Sequence, residues 1–321
     1  MLSAFVVTEG RLELREDGIA ALRAGGLVWL DICEPTEEEI AAVRSATGLE
    51  LGRLEPAENM ESSARYFQVA ESGALHLRAD FLTDAGNHDP QNAAVQLVIL
   101  GETLYSFHHV DLPTFRIMRE SAANNPAPCT DAKDVMLEIY ATDAEYCADL
   151  LEGIHRQLKG ASHSVLTRTV SDKIASAVLA RLAHQEDLNS NVRHNINDNR
   201  RAISFLTRER HLSEQQLETA RQIRRDLDSL DAYTTFLFDK INFLLEATVG
   251  FINITQNNVV KIFSVAAVAM LPPTLIASIY GMNFRHIPEL DWVWGYPFAL
   301  TLMALSVVLP FLWFRRKGWL K

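Results

Sequence analysis

Two uncharged stretches near the end of the chain, Ile262–Met282 and Trp292–Phe314, limit what these 321 residues can fold into. They run for 21 and 23 residues, and each matches the roughly 20 helical residues that cross a hydrocarbon core about 30 Å thick. Only Asn283 to Asp291 separate them, too few residues to form a domain. The spacing predicts a transmembrane hairpin, with everything before it on one side of the bilayer.

Charge supports that layout. Of 30 basic and 41 acidic residues, six and two fall in 261–321, which leaves 24 and 39 in 1–260, a formal balance of −15. Lys261 abuts the first run, and Arg315, Arg316, Lys317 and Lys321 follow the second. Basic residues flanking a span stay on the cytoplasmic side, so both termini are expected inside and 284–291 outside. An acidic soluble part argues against nucleic acid as a partner and suits a surface that attracts cations. The N-terminal MLSAFVVTEGRLELRED has no basic start and no long apolar core, so no signal peptide is expected. Cys33, Cys129 and Cys147 share no CxxC spacing and read as reduced structural thiols.

Residues 1–130 alternate short β-type runs with helical ones. The strands expected are Ser3–Val7, Leu27–Asp31, Arg65–Val69, Ala74–Leu82, Ala93–Leu100 and Thr103–His108. A capping box marks a helix start at Thr36 with Glu39, a second helix is expected over Leu112–Ala123, and Asn124–Cys129 is expected to be a loop. No glycine-rich phosphate loop or nucleophile elbow is present. His108 and His109 are adjacent on a strand, point to opposite faces and so do not share a metal easily. From Asp131 the period becomes helical, over Ala132–Lys159 and Ser164–Leu206, an expected antiparallel pair with break points at Gly160–His163 or His184–Asn199. A last helix starts near Ser213 and meets neither Gly nor Pro until Gly250. Its apolar residues from Leu230 to Phe263 surround it, and a helix apolar on all sides must be packed on all sides, most simply by copies of itself. Run unbroken to Met282, it is about 100 Å long. The expected organisation is therefore an α/β domain over 1–130, a long-helix hairpin over 131–212 and a stalk helix over 213–260. A first span follows at 261–282, an outer loop at 283–291, a second span at 292–314 and a basic tail at 315–321.

Two spans per chain cannot enclose an aqueous path, so conduction requires a ring of subunits. Along the first span Gly281, Ser278, Thr274, Leu271, Ala267, Phe263 or Ser264, Val260 and Asn257 recur at three- and four-residue steps. This face is small or weakly polar, interrupted by apolar bands at Leu271 and Val260. Pro272 and Pro273 free the carbonyls of Val268 and Ala269, which a membrane tolerates where they face protein or water. Periodicity alone leaves both a pore and a plain anchor hairpin open.

The sequence Tyr280-Gly281-Met282-Asn283 resembles the YGMN motif that closes the first span of CorA-type magnesium channels. The resemblance extends through Pro272-Pro273-Thr274, Ile287-Pro288-Glu289-Leu290 and Gly295-Tyr296-Pro297 to Arg315-Arg316-Lys317-Gly318-Trp319-Leu320. MLSAF at the start and GFINITQN in the stalk are similar to enterobacterial-type members, so it covers the whole chain. It implies a funnel-shaped homopentamer in the bacterial cytoplasmic (inner) membrane, an α+β cytoplasmic domain with long helices ahead of the two-helix hairpin. It also implies a channel for Mg²⁺, and for Co²⁺ and Ni²⁺, with no organic cofactor and no enzymatic activity. Gly281, Met282 and Asn283 would form the selectivity filter. Asn257, Val260, Phe263, Ala267, Leu271, Thr274 and Ser278 would line the pore, with polar rings at Thr274 and Asn257 and an apolar gate at Leu271 and Val260.

The same resemblance implies closure by cytoplasmic Mg²⁺ on acids between subunits, with Asp226, Asp228 and Glu246 as candidates. The family's stalk aspartates align without gaps onto Gln222, and Asp226 and Asp228 also suit ordinary ion pairs with Arg224 and Arg225. Glu246 lies in an apolar stretch, where an unpaired charge is costly. Outside, Glu289 and Asp291 would concentrate cations near the mouth, against Arg285 in the same loop. Competing readings are a zinc transporter on this scaffold, which more often has Ile or Val at the position of Met282, and a membrane-tethered sensor.

Overall fold

The computed structural model describes residues 1–15, 20, 22, 25–49, 65–84, 90–124, 128–167, 172–208, 212–283 and 292–318. The outer-loop residues Arg285, Glu289 and Asp291 lie outside these. The chain forms two compact units, one of Met1–Leu166 with Val178–Leu245, the other of Thr167–Ala177 with Glu246–Lys321.

Among the described residues the first unit is built on seven strands: β1 (Leu2–Thr8), β2 (Arg11–Arg15), β3 (Trp29–Cys33), β4 (Tyr66–Gln68), β5 (Leu75–Leu82), β6 (Asn92–Leu100) and β7 (Thr103–His108). They form one sheet in the order β2-β1-β3-β7-β6-β5-β4. Only the central β3–β7 pair is parallel, with Asp31 opposite Ser106 and Cys33 opposite His108. The remaining five pairs are antiparallel. Among described residues β2 is the strand missing from the sequence reading. Its RLELR pattern alternates as an edge strand should, but Leu12 is buried and Leu14 half exposed, so it lacks an apolar signature.

Helix α1 (Glu37–Thr47) starts as its sequence predicts. Glu39 N–H donates to Thr36 Oγ1 at 3.2 Å, and Thr36 N–H donates to Glu39 Oε2 at 2.9 Å. It stops at Gly48, whose φ of 71° places it in the left-handed region that favours glycine. Helix α2 (Pro113–Asn124) sets Phe115 and Met118 against the sheet, with Phe115 4.6 Å from the His108 ring.

Helix α3 (Ala132–Thr167) runs eight residues past its expected end, α4 (Asp172–Arg208) begins eight after its expected start, and both expected break points are helical. A mid-helix glycine costs about 1 kcal/mol, and the buried row Leu158, Ala161 and Val165 around Gly160 offsets it. The His184–Asn199 region interrupts the apolar period for another reason: its buried face is polar. Gln185, Asn189, Asn195, Asp198 and Asn199 are all buried, and three of the asparagines donate inward, to Thr234 O, Asp80 O and Asp143 Oδ2.

Helix α5 (Glu214–Tyr280) is 67 residues long, about 100 Å at 1.5 Å per residue. Within the first unit Ala220, Ile223, Leu227, Thr234, Leu237, Ile241 and Leu244 form a buried stripe at steps of three, four and, from Leu227 to Thr234, seven residues. Phe236, Phe238 and Phe243 on its other sides are 40–59% exposed. Helix α6 (Gly295–Arg316) completes the chain's two-helix C-terminal element. All three cysteines are free and buried.

One buried polar cluster pins the centre of the sheet, and a second joins α2, α3 and α4. Asp31 accepts from Ser106 Oγ (2.7 Å), His108 Nε2 (2.9 Å) and Arg119 Nη1 (2.6 Å), while Trp29 Nε1 donates to Ser106 Oγ at 2.8 Å. Burial works against a charged His108, but Asp31 outweighs it and lifts the imidazole to about 10. In the other cluster Asp143, between Thr114 Oγ1 (2.6 Å) and Asn199 Nδ2 (2.5 Å), is pushed by burial up to about 6. Its folded value exceeds the unfolded one, so its contribution is fully present at low pH and is lost as pH rises through about 6. His194, raised by its bond to Asp80, acts in the same direction. The melting temperature of the full chain in detergent should therefore fall between pH 5 and 7. Asp143→Asn should flatten that slope, and an unchanged slope refutes the assignment.

Candidate functional site: the exposed face of the first apolar helix

The most apolar 18-residue windows of α5 and α6 are only 6% and 11% buried, so neither is the core helix of a soluble protein. At 100° per residue, Asn257, Val260, Phe263, Ser264, Ala267, Leu271, Thr274, Ser278 and Gly281 fall within an arc of about 120° on α5. All are exposed in the single chain, with Val260, Phe263 and Leu271 at 62%, 71% and 67%. An apolar face this open needs lipid or other protein against it.

The hydroxyls on the arc have a defined polarity. Thr274 Oγ1 donates to Met270 O and Ser264 Oγ to Val260 O, each at 2.8 Å. With their protons spent inside the helix, both oxygens present lone pairs outward. That suits a hydrated cation, whose water shell offers protons. Pro272 and Pro273 fall outside the arc; of the carbonyls they free, that of Val268 borders the arc and that of Ala269 lies on another side.

Helix α5 ends at the motif. Gly281 N–H donates to Ala277 O at 2.9 Å and Met282 N–H to Ile279 O at 3.3 Å, a tightened last turn. Met282 and Asn283 follow, both exposed. A Cβ on Gly281 would sit 3.1 Å from Ala277 O, so a larger residue would force this turn to shift. On one flank Ala277, Tyr280 and Gly281 of α5 and Tyr296 and Ala299 of α6, with Trp292, line a cavity of about 430 Å³. The motif glycine is therefore both helix end and cavity wall.

The family model described as CorA-like Mg²⁺ transporter protein matches residues 24–316. The chain belongs to the CorA-like Mg²⁺ transporter family. The family is one of transporters, not enzymes. The magnesium transport protein CorA of Yersinia pseudotuberculosis serotype I is 39% identical over 320 residues, spanning 100% of both chains. That of Escherichia coli K12 is 38% identical over 320 residues, again spanning 100% of both. Among solved structures, the complete CorA magnesium transporter of Methanocaldococcus jannaschii superposes with a TM-score of 0.80. It covers 100% of this chain and 99% of that one at 15% identity, which carries the shared fold.

In this CorA-family chain the three stalk acids stand apart. Asp226 accepts from Gln222 Nε2 at 3.0 and 3.2 Å, and Asp228 from Arg200 at 3.4 Å. The pairing with Arg224 and Arg225 suggested by proximity in sequence is not what forms; Arg225 turns to Glu218 and Gln222. Glu246 is exposed, because the apolar side chains around it are themselves uncovered within one chain. Among the described residues no three His, Cys, Asp or Glu side chains converge on a metal-sized point. The sequence reading missed the Arg65–Asp80–Asp198 cluster, whose members lie far apart in the chain. Arg65 Nη2 reaches Asp80 at 3.0 Å and Asp198 at 2.9 Å, and Tyr66 Oη donates to Asp198 at 3.0 Å.

Proposed function

We propose that this chain is one subunit of a pentameric channel that admits Mg²⁺ down the membrane potential, and passes Co²⁺ and Ni²⁺ as well. The observation that carries this reading is the exposed arc of α5, ending at Tyr280-Gly281-Met282-Asn283. Membership of the CorA-like family and the full-length similarity to proteins named for magnesium transport support it. Lys261–Met282 is the lining span, Trp292–Phe314 the outer span, and 283–291 the loop at the mouth. Residues 213–260 form the cytoplasmic stalk, preceded by the α/β domain (1–130) and the long helices (131–212). Both termini, including the basic tail 315–321, lie in the cytoplasm of a bacterium bounded by this inner membrane.

Five Asn283 amides around one axis would hold a Mg²⁺ ion through its water shell, sparing the cost of dehydrating an ion that loses water reluctantly. Gly281 and Met282 would complete that filter. Thr274, Ser278 and Asn257 would offer acceptors along the path, Ala267 width, and Leu271, Val260 and Phe263 a band that closes by dewetting. Two charges crossing the membrane gain about 4.6 kcal/mol per 100 mV, so the potential suffices to drive entry. Glu289 and Asp291 would raise the local cation concentration outside. Inside, Asp226, Asp228 and Glu246 would bind Mg²⁺ between subunits and favour the closed ring.

The deciding experiment is dye-reported Mg²⁺ entry into liposomes holding the purified chain, with the potential set by a potassium gradient and valinomycin. Entry should rise as the interior is made more negative and be competed by Co²⁺ and Ni²⁺. Entry indifferent to potential overturns the channel reading, and entry competed only by Zn²⁺ moves the chain to zinc transport.

A further inference from the structure

Every charge in the described part of the membrane hairpin is positive, and all of it sits at one end. Residues 247–283 and 292–318 contain no Asp or Glu but include Lys261, Arg315, Arg316 and Lys317. Lys261 lies 20 residues before Gly281, and Arg315 lies 20 after Gly295, so both are about 30 Å from the loop end of the hairpin. The two acids of the connecting segment, Glu289 and Asp291, belong by sequence to the opposite end. The nearest acid along α5 is Glu246, 15 residues before Lys261, or about 22 Å up the helix.

All four basic side chains are exposed. Among the described residues none is ion-paired. Lys317 instead rests over the Trp313 ring, its ammonium 5.7 Å from the centroid. Trp313 is itself 55% exposed at the end of a membrane-length helix, the level at which tryptophan marks the headgroup layer. The last turn of α6 thus presents two guanidinium groups, an ammonium and an indole together at that level.

We propose that this basic end is a docking surface for anionic phospholipid headgroups of the cytoplasmic leaflet. Arg315 and Arg316 supply forked donors for phosphate oxygens, Lys317 and Lys261 supply point charges, and Trp313 supplies a flat wall for the glycerol region. The occupant follows from charge complementarity. A collar of uncompensated cations at the depth of the headgroups needs counter-charge from outside the hairpin, and the leaflet there carries it. Taken with the channel reading above, on which this part rests, the collar surrounds the route by which Mg²⁺ leaves the pore. Bound anionic lipid would then cancel a repulsion that slows that exit.

The test uses the full-length chain in bilayers of phosphatidylcholine with a minor share of either brominated phosphatidylglycerol or brominated phosphatidylcholine. Tryptophan quenching reports which lipid sits against the protein. The native chain should be quenched at least about twofold more by the brominated phosphatidylglycerol. Arg315→Gln/Arg316→Gln/Lys317→Gln should remove that preference. Arg315→Lys/Arg316→Lys, which keeps the charge, should retain most of it, and Lys317→Gln alone gives an intermediate case should the triple variant not assemble. Equal quenching by both lipids in the native chain, or a preference that survives both Gln variants, overturns the proposal. Mg²⁺ entry measured in the same bilayers separates the two readings. A lipid preference without entry in any lipid leaves the docking surface standing and refutes the channel. Entry without a lipid preference does the reverse.

Discussion

An Asn283→Ala chain should insert and assemble as the native one does, yet admit Mg²⁺ at least about tenfold more slowly. Asn283 lies beyond the last turn of α5 and is exposed, so shortening it spares the packed parts of the fold. What it removes is one amide oxygen per subunit from the ring proposed to hold the hydrated ion. Each such hydrogen bond is worth about 0.5–1.5 kcal/mol net. The loss is repeated at every subunit around one ion, so the total exceeds the 1.4 kcal/mol that corresponds to a factor of ten. Asn283→Gln keeps the acceptor but moves it outward, and should fall between the two. Mg²⁺ entry into liposomes at a fixed potential, with equal amounts of each protein, is the measurement. Equal rates for the native and Ala chains would remove Asn283 from the filter.

The largest effect on stability should come from a residue of the first unit. Arg65→Met should destabilise the chain by about 3–5 kcal/mol, because it leaves buried carboxylates without their cation. Arg65 is 4% exposed and bridges Asp80 and Asp198, whose own side chains are 10% and 2% exposed. Burial raises Asp80, but the bond from His194 and the charge of Arg65 outweigh it and hold its carboxyl below the usual range. Without the guanidinium, Asp80 retains His194 at 3.3 Å, half exposed and a weaker partner, while Asp198 retains Tyr66 and the Asp80 amide. Thermal unfolding of the full chain in detergent should show the drop. A shift no larger than that of an exposed control such as Arg221→Met would show the cluster to be dispensable.

The membrane hairpin was legible from sequence because its cause is local. A run of 21 uncharged residues reads the same whatever surrounds it, and so does a capping box, which closes within four residues. The buried clusters were not legible. Asp31 and His108 are 77 residues apart and are brought together by the pairing of β3 with β7, while Asp198 and Arg65 are 133 apart and meet only where α4 packs beside the β4–β5 edge. Asp143 has the same history: an acid in a helical period reads as a solvated face until Thr114 and Asn199 are seen to enclose it. The misplaced helix breaks have two causes: Gly160 reads as a stop although its buried neighbours offset its cost, and buried asparagines on α4 imitate the polarity of a turn. The exposed arc of α5 lies between these cases: its periodicity was visible, but one chain leaves it open.

The order in which the ribosome delivers these residues has its own consequence. Arg65 and Asp80 emerge early and have only each other until Asp198, 118 residues after Asp80, arrives. The first unit then still lacks the α5 stripe through Leu244, and only 16 residues separate its last residue, Leu245, from the first apolar run. A core that cannot close until the first apolar run is about to emerge must finish folding as that run appears. Completion of the first unit is thus tied in time to delivery of the apolar runs.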